Sequence, residues 1–129
     1  MLGLFGIFGR SERLQALDQA LRVFDVHPRT VPEALKLATI KLLQRASGAS
    51  SKLSDADYSN AAELLGYAIL GPDQFVASNS LADANRAELR LEAAIEAGDD
   101  QDANLILLAM NAGVLHPTIA DRFEVETSD

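Results

Sequence analysis

The chain has no cysteine and no tryptophan among its 129 residues. The absence of cysteine excludes disulfides, thiolate metal sites, iron–sulfur clusters and cysteine nucleophiles. Aromatic residues are few, with five Phe and two Tyr, so small and aliphatic residues must fill the core. Alanine and leucine stand out among these, and because both are strong helix formers, the composition predicts closely packed helices.

Long hydrophobic runs are also missing. Runs such as residues 105–110 are far shorter than the roughly 20 residues of a transmembrane helix. The apolar residues 1–9 have no basic residue before them and no small-residue cleavage site after them, so they do not fit a secretory signal. We therefore expect a soluble, cytoplasmic protein without a transmembrane segment.

Basic residues are scarce in the second part of the chain. Residues 1–52 carry eight Lys or Arg and four acids, a net charge of +4, whereas residues 53–129 carry three Arg and fifteen acids, a net charge of −12. The whole chain has a net charge of −8. Such a division favours an electrostatic role in partner binding over a catalytic one. We expect the basic helices to face acidic helices, within the fold or across a dimer.

Apolar residues recur at helical spacing along most of the chain, which predicts an all-α fold. The five main predicted helices cover about residues 11–27, 31–46, 55–70, 80–97 and 100–115, and short helical turns are predicted near 73–76 and 118–123. Short connections between them favour a compact single-domain bundle of five to six helices.

The sequence predicts three parts of the chain. They are an apolar N-terminal arm at residues 1–10, a helical domain at 11–124 and a flexible polar tail at 125–129. The arm is rich in large apolar residues, and three glycines keep it flexible. Three destinations are open for it: the core groove of its own chain, a groove of a second subunit or partner, and a membrane surface.

Hydroxyl and carboxylate residues precede most of the predicted helices, and we expect them to cap the free N–H groups there. These residues are Thr30, Ser54, Ser80 (or the amide residue Asn79 before it) and Asp99 or Asp100. Ser54 with Asp57 is a weak variant of the capping box. His27 and His116 each precede a proline at a predicted helix end. We expect their imidazoles to bond to the last helical carbonyls.

The fourth and fifth predicted helices have unusual faces. The fourth carries like charges four residues apart, in Arg86 and Arg90 and in Glu88, Glu92 and Glu96. Such pairs are mildly unfavourable, so we expect something outside the helix to neutralise them. The fifth is apolar around most of its circumference, which predicts a central position. Asn104 and Asn111 share one face of it and are expected to mark its exposed strip.

No motif fixes a reaction or a ligand. Asp100, Asp102 and Asn104 match the first three ligand positions of a calcium loop, but Leu105 replaces its glycine and Asn111 its final glutamate. The acids at this point are instead expected to stabilise a helix N-terminus. We expect no catalytic residue, no cofactor and no metal site.

We expect a non-enzymatic helical protein that acts in protein–protein interaction or regulation, through a protein partner or self-association. Its binding surface is predicted to combine an apolar anchor with an acidic face, formed by Leu2, Leu4, Phe5, Phe8, Glu88, Glu92, Glu96 and Asp99.

Two other functions are open. One is a small-ligand-binding or weakly enzymatic protein with a pocket beside the fifth helix, near Tyr67, Asn104 and His116. The other is nucleic-acid binding through the basic first two helices. The acidic charge of the whole chain opposes binding to a polyanion, so we do not expect a nucleic-acid partner.

Overall fold

A computed structural model of the chain describes the backbone over residues 2–48 and 53–127, and side chains over residues 12–46 and 53–122. The described residues are helical without any strand, as composition and periodicity predicted. Their helices are α1 (Leu2–Val23), α2 (Glu33–Ser47), α3 (Asp55–Leu70), α4 (Pro72–Ser78), α5 (Leu81–Ala97), α6 (Gln101–Asn111) and α7 (Pro117–Thr127). A 3-10 turn at Pro28–Thr30 lies between α1 and α2.

The two short predicted turns are complete helices, α4 and α7, which raises the helix count above the predicted five to six. The first helix begins at Leu2 instead of the predicted Ser11, so the backbone of the predicted arm is continuous with α1. The side chains of residues 1–11 and 123–129, which include Leu2, Leu4, Phe5 and Phe8, lie outside the described side chains. None of the helices in the described residues combines the length and apolar character that a membrane crossing needs.

The helix at the centre of the fold is α3. It packs against α1, α4, α5 and α6, and every residue from 61 to 68 is buried. Small residues allow this close approach: a Cβ atom at Gly66 would lie 3.2 Å from Val26 Cγ2 and 3.3 Å from Phe75 Cε1. Because all sides of α3 are covered, its polar side chains must find partners inside the protein.

The fifth predicted helix is α6, and it is less central than its apolar sequence predicts. It packs against α2, α3 and α5, but Asn104, Leu107 and Asn111 are exposed. The expectation that the two asparagines mark an exposed strip is therefore confirmed.

The other helices pack around α3 and α6. Helix α1 packs against α2 and α3, while α2 packs against α6. Helix α5 packs against α3 and α6 and is also the neighbour of α7. Helices α3 and α6 of the acidic part of the sequence therefore lie directly against α1 and α2 of the basic part.

The predicted caps of α3, α5 and α6 are confirmed. Ser54 and Asp57 form a reciprocal capping box at the start of α3. Ser80 accepts from the Asp83 N–H at the start of α5, and Asp100 accepts from the Ala103 N–H at the start of α6. These bonds satisfy backbone donors that have no partner within their helix.

The predicted caps around the two His-Pro pairs are wrong. Pro32, not Thr30, occupies the N-cap position of α2, without a side-chain bond. His27 Nδ1 accepts from the Arg29 N–H at 3.1 Å, and His116 Nδ1 accepts from the Thr118 N–H at 3.2 Å. Each imidazole thus bonds to the helical turn that follows it. The preceding helices end several residues earlier, and since proline has no N–H, the residue after it carries the nearest free donor.

Gly71 ends α3 in a conformation and a space that suit only glycine. Its φ is 86°, and a Cβ atom there would lie 2.7 Å from Cγ and Cδ2 of His116. The backbone N–H of His116 donates to the Ala68 carbonyl at 2.8 Å, which holds the ring in place. The turn between α3 and α4 therefore requires glycine at position 71, because any side chain there would collide with His116.

We expect Gly71→Ala to lower the free energy of unfolding by about 3 kcal/mol, because it adds backbone strain to a steric clash. Gly98→Ala is the matched control: its φ is 78°, and a Cβ atom there meets nothing within 4 Å, so about 1–2 kcal/mol of strain alone is expected. Urea unfolding measures both. Equal losses of unfolding free energy in the two variants would show that the clash with His116 does not contribute to the destabilisation.

Candidate functional site

The centre of the fold holds a carboxylate, Glu63, whose side chain is only 5% exposed. Arg86 of α5 binds this carboxylate through two nitrogens. Its Nε donates to Oε1 at 3.1 Å and to Oε2 at 3.0 Å, and its Nη2 donates to Oε2 at 2.7 Å. Arg90 Nη1 lies 3.5 Å from Oε1. An unpaired carboxylate at this depth would cost several kcal/mol, so these arginines are what allows α3 to be buried.

Arg90 extends this contact to a third helix. Its Nε and Nη2 donate to the two oxygens of Asp102 on α6 at 3.0 and 2.9 Å, and its Nη1 donates to the Asn60 carbonyl at 2.8 Å. Arg86 also binds Asp83, three residues earlier on its own helix. We call this group the Glu63 cluster, formed by Glu63, Asp83, Arg86, Arg90 and Asp102.

A second group, the Tyr67 cluster, joins α3, α5 and α7 through Tyr67, Glu88 and Arg122. Arg122 donates from Nη1 and Nη2 to the two oxygens of Glu88, both at 2.7 Å, and the Tyr67 hydroxyl donates to Glu88 Oε1. Arg122 and the Tyr67 bond hold the pKa of Glu88 below its usual value against the effect of burial. Burial, reinforced by Glu88, raises the pKa of Tyr67 far above that of a free phenol, which keeps the phenol a donor.

Residues outside α5 neutralise three of its like charges, as the sequence predicts. Glu63 and Asp102 pair with the two arginines of α5, and Arg122 pairs with Glu88. Glu92 and Glu96, the other two members of the predicted set, are exposed. All of these residues belong to the acidic part of the chain. In the basic part, Lys36 of α2 pairs with Asp18 of α1 at 3.0 Å. These ion pairs therefore do not join the basic part to the acidic part.

The predicted acidic face is divided by the structure. Glu88 is half-buried in the Tyr67 cluster, whereas Glu92, Glu96 and Asp99 are exposed. An open groove of about 410 Å³ lies between α5 and α7, lined by Glu92, Ile95, Glu96 and Arg122. We call it the acidic groove, because the one cation in its lining, Arg122, already binds Glu88.

A smaller polar hollow of about 220 Å³ lies where α2, α3, α5 and α6 meet. Its lining consists of Leu43, Asp57, Asn60, Ala61, Arg90, Gln101, Asp102 and Leu105. It lies beside the fifth predicted helix, where a pocket was expected, but on other residues. Tyr67 is buried against Glu88, Asn104 is exposed, and His116 covers Gly71, so the structure does not bring those three together in this hollow.

The acids of the partial calcium motif have the capping role expected of them. Asp100 accepts from the Ala103 N–H at 2.7 Å, and Asp102 binds Arg90. Among the described side chains, no three acidic or histidine residues are grouped as a metal ion would require.

Sequence reasoning missed Glu63 and Arg122, and it named Tyr67 only as a residue near a candidate pocket, not as a partner of Glu88. Glu63 looks like an ordinary exposed glutamate in a helix, because its partners lie 23 and 27 residues away. One signal was available. The acidic part of the chain contains only three arginines, and each of the three binds a carboxylate.

The Tyr67 cluster gives a prediction for acid unfolding. Since the pKa of Glu88 is lower in the folded protein than its usual value of 4.5, the unfolded chain binds more protons there. The stabilisation is complete above the unfolded pKa and disappears as the pH falls through the lowered one. We expect urea unfolding of wild type between about pH 6 and pH 3 to lose stability more steeply than that of Glu88→Gln.

The control is Asp25→Asn, since Asp25 is exposed and its φ of 64° suits asparagine. This variant should keep the steep acid dependence of wild type. Parallel pH profiles for wild type and Glu88→Gln would show that the ion pair with Arg122 does not stabilise the fold.

Comparison with known proteins finds no matching family model, no matching curated protein and no matching solved structure. What the protein does is therefore inferred from its own surfaces and contacts.

Proposed function

We propose that this chain is a non-enzymatic helical interaction protein whose docking element is the first two turns of α1, residues 2–9. The observation that carries the proposal is that α1 continues for eleven residues on the N-terminal side of Arg13. The acidic face formed by Glu92, Glu96 and Asp99 is proposed as a second contact surface.

Arg13 of α1 lies near residues at the end of α2 and at the start of α3. Its guanidinium lies 3.0 Å from the side-chain oxygen of Gln44, in the amide orientation that satisfies both groups. It also opposes the rise that burial causes in the pKa of Tyr58. Gln44 is three residues from the end of α2, and Tyr58 is three residues from the start of α3. Both contacts of Arg13 are therefore close to a helix terminus, the end of α2 and the start of α3.

The helix α1 continues for eleven residues beyond Arg13, a length of about 16 Å. Its first two turns, residues 2–9, make up about 12 Å of this helix. A stretch of that length beyond the contacts of Arg13 is long enough to present a side to another molecule. This supports a docking role over the alternative in which the segment fills the core groove of its own chain.

The helical repeat of the sequence supports the same conclusion. Leu17 and Leu21 are fully buried and mark the stripe of α1 that faces the core. Continued toward the N terminus in steps of three and four residues, this stripe passes through Leu14, Arg10, Ile7 or Gly6, and Gly3. Phe5 and Phe8 are not part of it, so the largest apolar residues of the segment occupy other positions around the helix.

The test replaces the anchor and measures association. We expect Phe5→Gln with Phe8→Gln to abolish concentration-dependent association in light scattering while circular dichroism shows unchanged helix content. Val23→Gln with Leu81→Gln is the matched control, because it removes two apolar side chains that are 74% and 64% exposed elsewhere. The control should associate like wild type.

Deletion of residues 1–9 should have the same effect as the phenylalanine variant. A wild type that stays monomeric and takes no protein partner, or a deletion that unfolds the domain, would contradict the proposal.

The polar hollow favours a second candidate function, binding of a small polar ligand. Leu43, Ala61 and Leu105 supply buried apolar surface, while carboxylates, carboxamides and Arg90 supply polar groups. Because five of the eight lining residues are polar, the ligand proposed for this hollow is a polar one.

A thermal-shift screen with metabolites and divalent ions tests this second candidate. A ligand of the hollow should raise the melting temperature of wild type, because it binds the folded state alone. Asn60→Ala with Gln101→Ala should remove that rise. Asn104→Ala with Asn111→Ala alters two exposed amides outside the hollow and should preserve it. No stabilisation by any ligand class would count against the hollow as a binding site.

A further inference from the structure

We infer that the polar hollow binds a small neutral molecule that carries a carboxamide or urea group, and that Asn60 and Gln101 recognise this group. The inference rests on the second candidate function above and deepens it, because it names the chemical class of the ligand. It does not depend on the docking role proposed for α1. The features that support it are the paired charges and the two carboxamides in the wall of the hollow.

The charged side chains in this wall already have partners within the fold. Both oxygens of Asp102 accept from Arg90, at 3.0 and 2.9 Å. A third nitrogen of Arg90, Nη1, donates to the Asn60 carbonyl at 2.8 Å. Asp57 Oδ2 accepts from the Ser54 N–H at 2.9 Å, as part of the capping box of α3. Each charged side chain of the wall therefore uses part or all of its hydrogen-bonding capacity inside the protein.

A full charge on the ligand, of either sign, would meet a like charge in the wall. A cation would lie near Arg90, and an anion would lie near Asp57 and Asp102. All three side chains are half-buried, where water screens such repulsion less than at an open surface. The opposite charges offer little in return, because Asp102 and Arg90 neutralise each other and the first turn of α3 stabilises Asp57 through the helix dipole. A neutral ligand avoids the repulsion altogether.

The two carboxamides of the wall are the groups that remain for a ligand. Asn60 of α3 and Gln101 of α6 both line the hollow, and neither side-chain amide bonds to another of the described residues. Each carboxamide offers an NH2 donor and a carbonyl acceptor. A carboxamide or a urea has the same two functions, so one such group on a ligand can donate to and accept from these side chains.

The floor and the size of the hollow limit the rest of the ligand. Leu43, Ala61 and Leu105 are buried and supply apolar surface next to the polar wall. Drug-sized molecules occupy pockets of about 300–1,000 Å³, and the hollow measures about 220 Å³. The ligand class is therefore a short alkyl carboxamide or a substituted urea of similar size.

The test compares three molecules that share one shape and differ in charge: propionamide, propionate and propionamidinium. The full chain is titrated with each at neutral pH, and the NMR signals of the Asn60 and Gln101 side-chain amides report binding. We expect saturable shifts with propionamide and binding of both ions that is weaker by about tenfold or more, because each ion meets a like charge. Phe5→Gln with Phe8→Gln should bind propionamide like wild type, since no described side chain of α1 lines the hollow.

A pair of variants tests the role of the carboxamides. Asn60→Asp with Gln101→Glu replaces both NH2 donors with oxygens. We expect this variant to bind propionamide about tenfold more weakly than wild type does, and to prefer propionamidinium, because it offers acceptors alone. The matched control is Asn104→Asp with Asn111→Asp, which adds the same charge at two exposed amides outside the hollow. The control should keep the wild-type preference for propionamide.

The outcomes separate the ligand class from the binding site. A wild type that binds either ion as tightly as propionamide would overturn the neutral class and leave the hollow as a site. If none of the three molecules shifts the signals of Asn60 and Gln101, both the class and the site are wrong. A carboxylate variant that keeps the wild-type preference would overturn the role of these two side chains. The docking role of α1 is tested separately, by the association measurements.

Discussion

Burial of one carboxylate constrains the arrangement of most helices in this protein. Since α3 is covered on all sides over residues 61–68, Glu63 has no access to bulk water. A carboxylate in that position is tolerated only with close cations and full hydrogen bonding. Arg86 and Arg90 supply both, and they can do so only when α5 lies against α3 in one register. The same register places Glu88 beside Tyr67. Helix α5 therefore contributes residues to both the Glu63 cluster and the Tyr67 cluster.

This constraint also affects how the charges of the chain pair with one another. The three arginines of the acidic part of the chain are all engaged by carboxylates of that part. In the basic part, Lys36 pairs with Asp18. These ion pairs therefore form within each part of the chain, although α3 and α6 of the acidic part pack against α1 and α2 of the basic part.

The local features of the fold were predictable from sequence because their causes are local. The caps at Ser54, Ser80 and Asp100 depend on a side chain and an N–H group three residues away, and the end of α5 at Gly98 depends on one residue. The His-Pro pairs failed because the length of the preceding helix decides which backbone groups lie within reach.

The candidate site was predictable only in part because it depends on contacts between distant residues. The exposed members of the acidic face, Glu92 and Glu96, could be recognised from helical spacing alone. The burial of Glu63 could not, since its cause is the small size of the alanine and glycine residues around it. The polar hollow likewise arises from the meeting of four helices. The periodicity of a single helix does not predict which other helices will pack against it.

A double-mutant cycle between Glu63→Met and Arg86→Met, followed by urea unfolding, tests the dependence on the buried carboxylate most directly. If Glu63 requires its arginine partner, each single variant is destabilised, Arg86→Met more so because it leaves the buried charge behind. The double variant then loses less stability than the sum of the two. The exposed pair of Arg86 with Asp83 should show little such coupling. Strictly additive losses for Glu63 and Arg86 would contradict the account.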